Sequence, residues 1–195
     1  NAPAPTEIYT LGRSSAASDV YKRQHHVCSI HEDRQKRGLV LEFDVAENLI
    51  LETYGRAPFS RRGVLDHGEI YRFGDQCAEN FDIRPRTTTQ QAKALSGGNQ
   101  QKVIIAREVS NDPDILIASQ PTRGLDVGAI EYVHKALLEQ RDMGKAVLLI
   151  SFELDEIINV ADRIAVIFEG RIFGIVDGPE ADENRIGLLM AGGTA

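Results

Sequence analysis

Positive charge is the scarcer sign in this sequence, with 22 lysines and arginines against 29 aspartates and glutamates and a formal net charge of -7. That balance argues against a protein that grips nucleic acid through a basic surface, because phosphate contacts are made by clustered cations. Cysteine is almost missing. Cys28 and Cys77 lie far apart without a Cys-x-x-Cys spacing, which excludes a disulfide scaffold and fits ordinary reduced thiols in a reducing compartment. No apolar run approaches the roughly 18 residues that cross a bilayer, and no charged start, apolar stretch and cleavage site stand in order at the beginning. The expectation is a cytosolic chain, or one held at a membrane only through a partner. Metal-ligand spacing is lacking as well: of His25, His26, His31, His67 and His134, only the His25-His26 doublet is paired, and it abuts an anomalous junction. Surface positions are expected for the histidines, and no metal site. Internal repeats are absent.

What is present is enough apolar material, 42% of 195 residues, to bury a core of one domain or one domain with a subdomain. Residues 1–24, "NAPAPTEIYTLGRSSAASDVYKRQ", have Pro-Ala and Ser-Ala runs and no sustained periodicity. They are expected to be unstructured and extraneous, since "SSAASDVYKRQ" resembles translated sequencing-adapter read-through. A genuine flexible linker is the alternative. From 25 to 113 the chain is mostly helical: "VAENLILE" (45–52) and "HGEIYRFGDQCAENF" (67–81) have helix-like apolar spacing, with a Gly, Pro and Ser-marked loop, "YGRAPFSRRG", between them. After "LSGG" the helix "NQQKVIIAREVS" directs Val103, Ile104 and Val109 to a core and is closed by "NDPD".

From 114 to 195 the pattern changes. "ILIA" (115–118), "AVLLIS" (146–151) and "RIAVIF" (163–168) are short continuous apolar runs, expected to be parallel strands covered on both faces. A helix capped by Asp126, with Val127, Ile130, Val133, Leu137 and Leu138 on one stripe, joins the first two and stops at Gly144. Strand, helix, strand, helix, strand implies an α/β parallel sheet.

The stretch richest in chemistry is "LSGGNQQK". Ser96 is a good helix cap, and the glycines behind it let backbone N–H groups at a helix start approach an anion. By itself such a turn is more often a simple cap. Here it is followed by an apolar strand, "PTRGLD", a helix and a second strand ending "ISFELDE". This ordered set resembles the nucleotide-binding domains of ABC transporters, over nearly all of the chain from His25 to Gly193. "HEDRQKRGLVLEFDVAENL", "LSGGNQQKVIIAREV" and "QPTRGLDVGAIEYVHKALLEQRDMGKAVLLISFELDE" resemble the second ATPase half of the double-domain ATPases that serve simple-sugar and nucleoside importers, the nucleoside branch in particular.

The resemblance implies a P-loop NTPase-like partial domain, parallel sheet with helical subdomain, acting with ATP and Mg²⁺. It places Leu95 to Asn99 in the signature motif, with Asn99 where Gln or Glu is commoner; Gly124, Leu125 and Asp126 in the D-loop; Ser151 to Glu153 in the switch loop; and Glu32 at the Q-loop position. The departures from the family pattern fall on the hydrolytic groups. Ser119 and Gln120 stand where the Walker B strand ends Asp-Glu, and Phe152 stands at the switch histidine. Glutamine can orient water but takes no proton, and loss of a general base costs roughly 10²- to 10⁴-fold. Phenylalanine cannot hydrogen-bond a phosphate. The phosphate-cradling Gly-x₄-Gly-Lys-Ser/Thr loop is missing too: its one lookalike, "GVLDHGEI" (63–70), has Glu69 and Ile70 where the lysine and hydroxyl belong, and is expected to be a loop and helix start.

The chain is therefore expected to be a fragment, inactive alone, whose Ser96, Gly97, Gly98, Asn99 and Gln100 act in trans on ATP held by the first ATPase domain of the same subunit. The resemblance also implies transmembrane permease subunits as partners, an extracytoplasmic solute-binding protein indirectly, no nucleic acid, and a peripheral place on the cytoplasmic face of the cell membrane. An apolar sheet edge left by the missing strand is expected to make the isolated chain poorly soluble. The basic run "RQKRG" (34–38) is either a solvated turn or a contact for phosphate or a permease loop. "ELDE" (153–156) is the acidic first turn of a helix. Two rivals stand beside the importer reading: a soluble ABC protein of the repair or translation type, which lacks here its coiled-coil insertion or basic arms, and a non-enzymatic ABC-like interaction module.

Overall fold

Helices begin in this chain where a side chain can accept a backbone N–H that has no partner inside the helix. Asp44 opens α1 (Val45–Leu49) with a reciprocal box: its carboxylate accepts from the Glu47 N–H at 2.8 Å, and Glu47 accepts from the Asp44 N–H at 3.0 Å. Asp66 caps α2 (His67–Asn80), Ser96 caps α3 (Gly97–Ser110) and Asp126 caps α4 (Val127–Asp142). Two further helices, α5 (Leu154–Val160) and α6 (Glu183–Met190), follow. The computed structural model describes residues 25–193, so the opening segment, 1–24, lies outside the described residues.

The central sheet joins β1 (Val27–Ile30), β4 (Ile115–Ser119) and β5 (Ala146–Ile150) in parallel, in the order β1-β4-β5. Ile30 lies opposite Ala118, and Ser119 opposite Ile150, so the strands end together at one rim. The main core lies between this sheet and the helices: Val103, Ile104, Ile105 and Ala106 of α3 pack with Cys28 and Ile30 of β1, Leu116 and Ala118 of β4, and Val133 and Leu137 of α4. Burial of both thiols, Cys28 and Cys77, raises their pKa, that of Cys28 to about 12 with help from the nearby Glu108 and Glu52 carboxylates. A smaller cluster of Ala46, Ile50, Phe59 and Ile70 ties α1 to α2.

Several expectations are corrected by this architecture. The run 163–168 is no parallel strand: β6 (Arg163–Phe168) pairs antiparallel with β7 (Arg171–Asp177). Its connection is the tight turn at Glu169 and Gly170, both at positive φ (46° and 75°), which suits a hairpin and leaves no room for a crossover. Coverage of the strands is also uneven. Leu116 and Ala118 are sealed, but β5 has a neighbour on one side only among the described residues, and Ile150 at its end is 45% exposed. Val127, expected on the core stripe of α4, is 72% exposed, because the first residue of the helix projects past the end of the sheet. The helix expected over 45–52 stops at Ile50, whose N–H closes a tighter turn onto the Glu47 carbonyl at 3.3 Å. The loop between α1 and α2 contains a small hairpin, β2 (Ser60–Arg61) with β3 (Val64–Leu65). Its continuation into α2 is the loop and helix start expected for 63–70: Ile70 is buried in the core, and the Glu69 N–H is capped by Asp66 at 3.1 Å.

Candidate functional site

The start of α3 and the loop between β4 and α4 meet at one corner of the molecule. Ser96 is exposed, and its Oγ accepts from the Asn99 N–H at 3.4 Å and from the Asn99 amide Nδ2 at 2.9 Å. With its acceptor sites so used, the hydroxyl proton is left to donate outward. The first intrahelical bond, Gln100 N–H to the Ser96 carbonyl at 2.9 Å, comes after Gly97 and Gly98, so their N–H groups point along the helix start. Asn99 is held from the other side, its Oδ1 accepting from the Arg84 N–H at 2.7 Å.

Glycine is required at both signature positions by close approach. A Cβ on Gly97 would stand 3.0 Å from Nη2 of Arg34, and one on Gly98 would stand 3.0 Å from Cβ of Ala129 on α4. Gln100 differs from its neighbours. It is only 2% exposed, its Nε2 donates to the Ala92 carbonyl at 3.0 Å and its Oε1 accepts from Gln35 at 3.2 Å. Its amide is engaged inside the chain, bracing the loop from behind.

Across the corner, Gly124 takes φ +67°, Leu125 packs partly into the main core, and Asp126 Oδ1 accepts from the Ala129 N–H at 2.9 Å. Glu32, exposed just after β1, forms an ion pair with Arg123, whose carbonyl in turn accepts from Arg34 Nη1 at 2.8 Å. The run 34–38 is a single wide helical turn capped by Asp33, which accepts from the Lys36 N–H at 3.0 Å. Arg34 and Arg123 are the residues that sequence reasoning left unassigned at this corner. Their partners lie 89 and 91 residues away, so no local spacing signals them.

The remaining positions lie at the same strand-end rim and adjoin the corner, the Arg123 N–H donating to the Gln120 carbonyl at 3.2 Å. Gln120 sits just past β4 at φ +48°, 7% exposed, its N–H donating to the Ile150 carbonyl at 2.8 Å and its side-chain Nε2 buried without a partner. A left-handed glutamine is uncommon, and the strand end is bent there. Ser119, at the tip of β4, is half-buried. Phe152 is 81% exposed on the loop after β5, followed by Glu153, whose N–H donates to Ser151 Oγ at 3.0 Å. Glu153 is the residue before α5, and Asp155 and Glu156 lie in its first turn. Glu156 is buried against His134, Oε1 to Nε2 3.0 Å, which corrects the expected surface position of that histidine. Among the described residues no group of three His, Cys, Asp or Glu could hold a metal. Nor is any described helix long and apolar enough to cross a membrane.

In the last third of α3, Arg107 and Glu108 form a buried pair at 2.8 Å, and Arg107 Nη1 also donates to the Gly38 carbonyl at 2.8 Å. Burial raises the Glu108 pKa, and the adjacent guanidinium opposes that shift.

The arrangement of parallel sheet, capped signature helix and following loop is that of the ABC-type P-loop ATPases, present here as a partial domain. A dimeric bacterial ABC transporter cassette superposes with a TM-score of 0.66 over 84% of this chain and 68% of its own, at 24% identity. The family model described as ABC transporter matches residues 4–123, more than half of the chain, and the chain belongs to that family. It is similar to the guanosine import ATP-binding protein NupO of Bacillus subtilis, 58% identical over 165 residues, which are 85% of this chain and 32% of that protein. The nucleoside import ATP-binding protein NupA of Lactococcus lactis is 55% identical over 87% of this chain and 34% of its own length, and the xylose import ATP-binding protein XylG of Thermoanaerobacter pseudethanolicus 38% identical over 96% and 37%. The chain thus spans about a third of the length of the curated relatives it matches.

Proposed function

We propose that this chain is part of the ATP-binding subunit of an ABC importer for nucleosides or simple sugars, and that it is the second ATPase half, with a degenerate hydrolytic site of its own. The observation that carries the reading is the contrast between two neighbouring sets of residues. The signature corner offers an outward hydroxyl at Ser96 and the unclosed N–H groups of Gly97 and Gly98, a set that suits a phosphate. The rim of β4 and β5 offers Ser119, Gln120 and Phe152 and no carboxylate at the Walker B positions, a set that does not suit a Mg²⁺ ion or a general base.

In the assembled subunit, ATP with Mg²⁺ held by the first ATPase domain supplies the phosphoryl group. Ser96, Gly97 and Gly98 donate hydrogen bonds to its terminal phosphate, Asn99 fixes the Ser96 hydroxyl, and Gly124, Leu125 and Asp126 form the loop that faces the partner domain. Glu32 stands at the Q-loop position, on the side expected to face the transmembrane permease subunits, with the solute-binding protein reached only through them. The complex then lies on the cytoplasmic face of the cell membrane. Residues 25–113 supply the Q-loop region, helical subdomain and signature helix, and 114–195 the Walker B, D-loop and switch-loop half, while the family match begins at residue 4, within the opening segment. The identity to guanosine and nucleoside import proteins supports the nucleoside branch.

A single-turnover count on the full-length subunit with its permeases tests this. The expected result is one hydrolysed ATP per double-domain subunit; two per subunit would overturn the assignment of a degenerate half.

A further inference from the structure

We propose that Arg34 is a positioning residue which, with Glu32, clasps Arg123 and holds the 123–126 loop and the first signature glycine as one unit. The proposal rests on the reading above for what that unit acts on, but the clasp itself is a matter of this chain's own contacts. Arg34 Nη1 donates to the Arg123 carbonyl at 2.8 Å, while the Arg123 guanidinium returns to the Glu32 carboxylate. One residue of the loop is thereby gripped by its backbone from one side and by its side chain from the other. The same guanidinium lies over Gly97, its Nη2 3.0 Å from where a Cβ would stand, and 3.8 Å from the corresponding point on Gly124. Arg34 is half-buried, with its Nε buried and without a partner.

The segment that carries Arg34 is anchored independently along α3. Gln35 bonds Gln100 at 3.2 Å, and the Gly38 carbonyl accepts from the buried Arg107 at 2.8 Å. The turn 34–38 therefore runs beside the signature helix from its first residue to its last third, and a shift of the segment after β1 is passed to the start of α3 and to residue 123 together. Arginine is needed for geometric reasons. One edge of its planar fork serves a carbonyl while its face covers a glycine, which the compact ammonium of lysine cannot do.

The test compares Arg34→Ala, Arg34→Lys, Glu32→Arg and the swapped pair Glu32→Arg with Arg123→Glu in the full-length ATPase assembled with its permeases. Amide hydrogen exchange is followed over residues 96–99 and 121–127, with KM for ATP and kcat measured separately. Arg34→Ala is expected to speed exchange in both segments by about tenfold and to raise KM by about tenfold with kcat within about threefold. Arg34→Lys is expected to behave like alanine. Glu32→Arg alone loosens 121–127, and the swapped pair restores it. Loss of fold alone would lower the thermal midpoint and kcat without moving KM.

Unchanged exchange in either segment of Arg34→Ala overturns the clasp, as does failure of the swapped pair to restore protection. Faster exchange with KM unmoved overturns the positioning role. Because exchange is read on the chain itself, a wild-type count of two ATP per subunit would defeat the degenerate-half reading while leaving the clasp standing or falling on its own data.

Discussion

The signature corner and the rim at the end of β5 lie in the same domain yet are built differently. At the corner, side chains hold groups of their own turn, Ser96 with Asn99 and Asp126 with Ala129, or of separate segments, Asn99 with Arg84 and Glu32 with Arg123, while the buried Arg34 Nε has no partner. At the rim, Gln120 keeps a buried amide nitrogen without a partner, Ile150 and Phe152 face solvent, and among the described residues β5 is bordered on one side only. The difference shows where this chain spends its hydrogen bonds. Asn99 and Glu32 at the corner are tied to partners on separate segments, whereas Ile150 and Phe152 at the rim stand open to solvent.

Substitutions can break or sharpen that contrast, and urea unfolding of the chain reads them on one scale. The largest expected loss is Arg107→Ala. Removing one member of the buried pair leaves Glu108 uncompensated beside the core, at a cost of about 3–5 kcal/mol; a loss under about 1 kcal/mol would show that Glu108 does not depend on its partner. Next is Gly98→Val, whose Cβ must enter a space only 3.0 Å from that of Ala129 on α4. Overpacking of this kind costs about 1–3 kcal/mol, and a neutral result would mean that α3 and α4 separate easily. Asp126→Ala removes the cap of α4 and is expected to cost about 1 kcal/mol. Asp126→Asn, which keeps an acceptor oxygen, should recover most of it.

The smallest effect is expected at the rim. Phe152→Ala should change stability by less than about 0.5 kcal/mol, as for other exposed side chains. A larger loss would show that the rim is packed after all. The two thiols offer a control on the core that both regions share. With its thiol raised to about 12, Cys28 should stay essentially unalkylated by iodoacetamide at pH 8 in the folded chain and react once urea unfolds it. Since burial disfavours the thiolate, raising the pH to 9 should speed labelling of the unfolded chain far more than of the folded one.

Much of this molecule was legible from local pattern. Ser96 and Asp126 were readable as caps because N-cap chemistry needs only an acceptor oxygen and the next few N–H groups, all within one turn of sequence. The strands 115–119 and 146–150 were readable because apolar runs of that length have few other homes. That Ser119, Gln120 and Phe152 carry no carboxylate or imidazole was visible in residue identity alone.

Tertiary structure decided the rest. Whether β6 would join the sheet depended on the Glu169-Gly170 turn and on which neighbour lay within hydrogen-bond reach, and an apolar run carries neither fact. Gln100 looks in sequence like any polar residue of the signature, and only packing against Ala92 and Gln35 turned it inward. Glu32, Arg34 and Arg123 carry no mark of one another across some ninety residues. Their meeting is a product of the parallel register that ends β1 and β4 at the same rim, because side-chain geometry over such separations exists only once the backbone between them has folded.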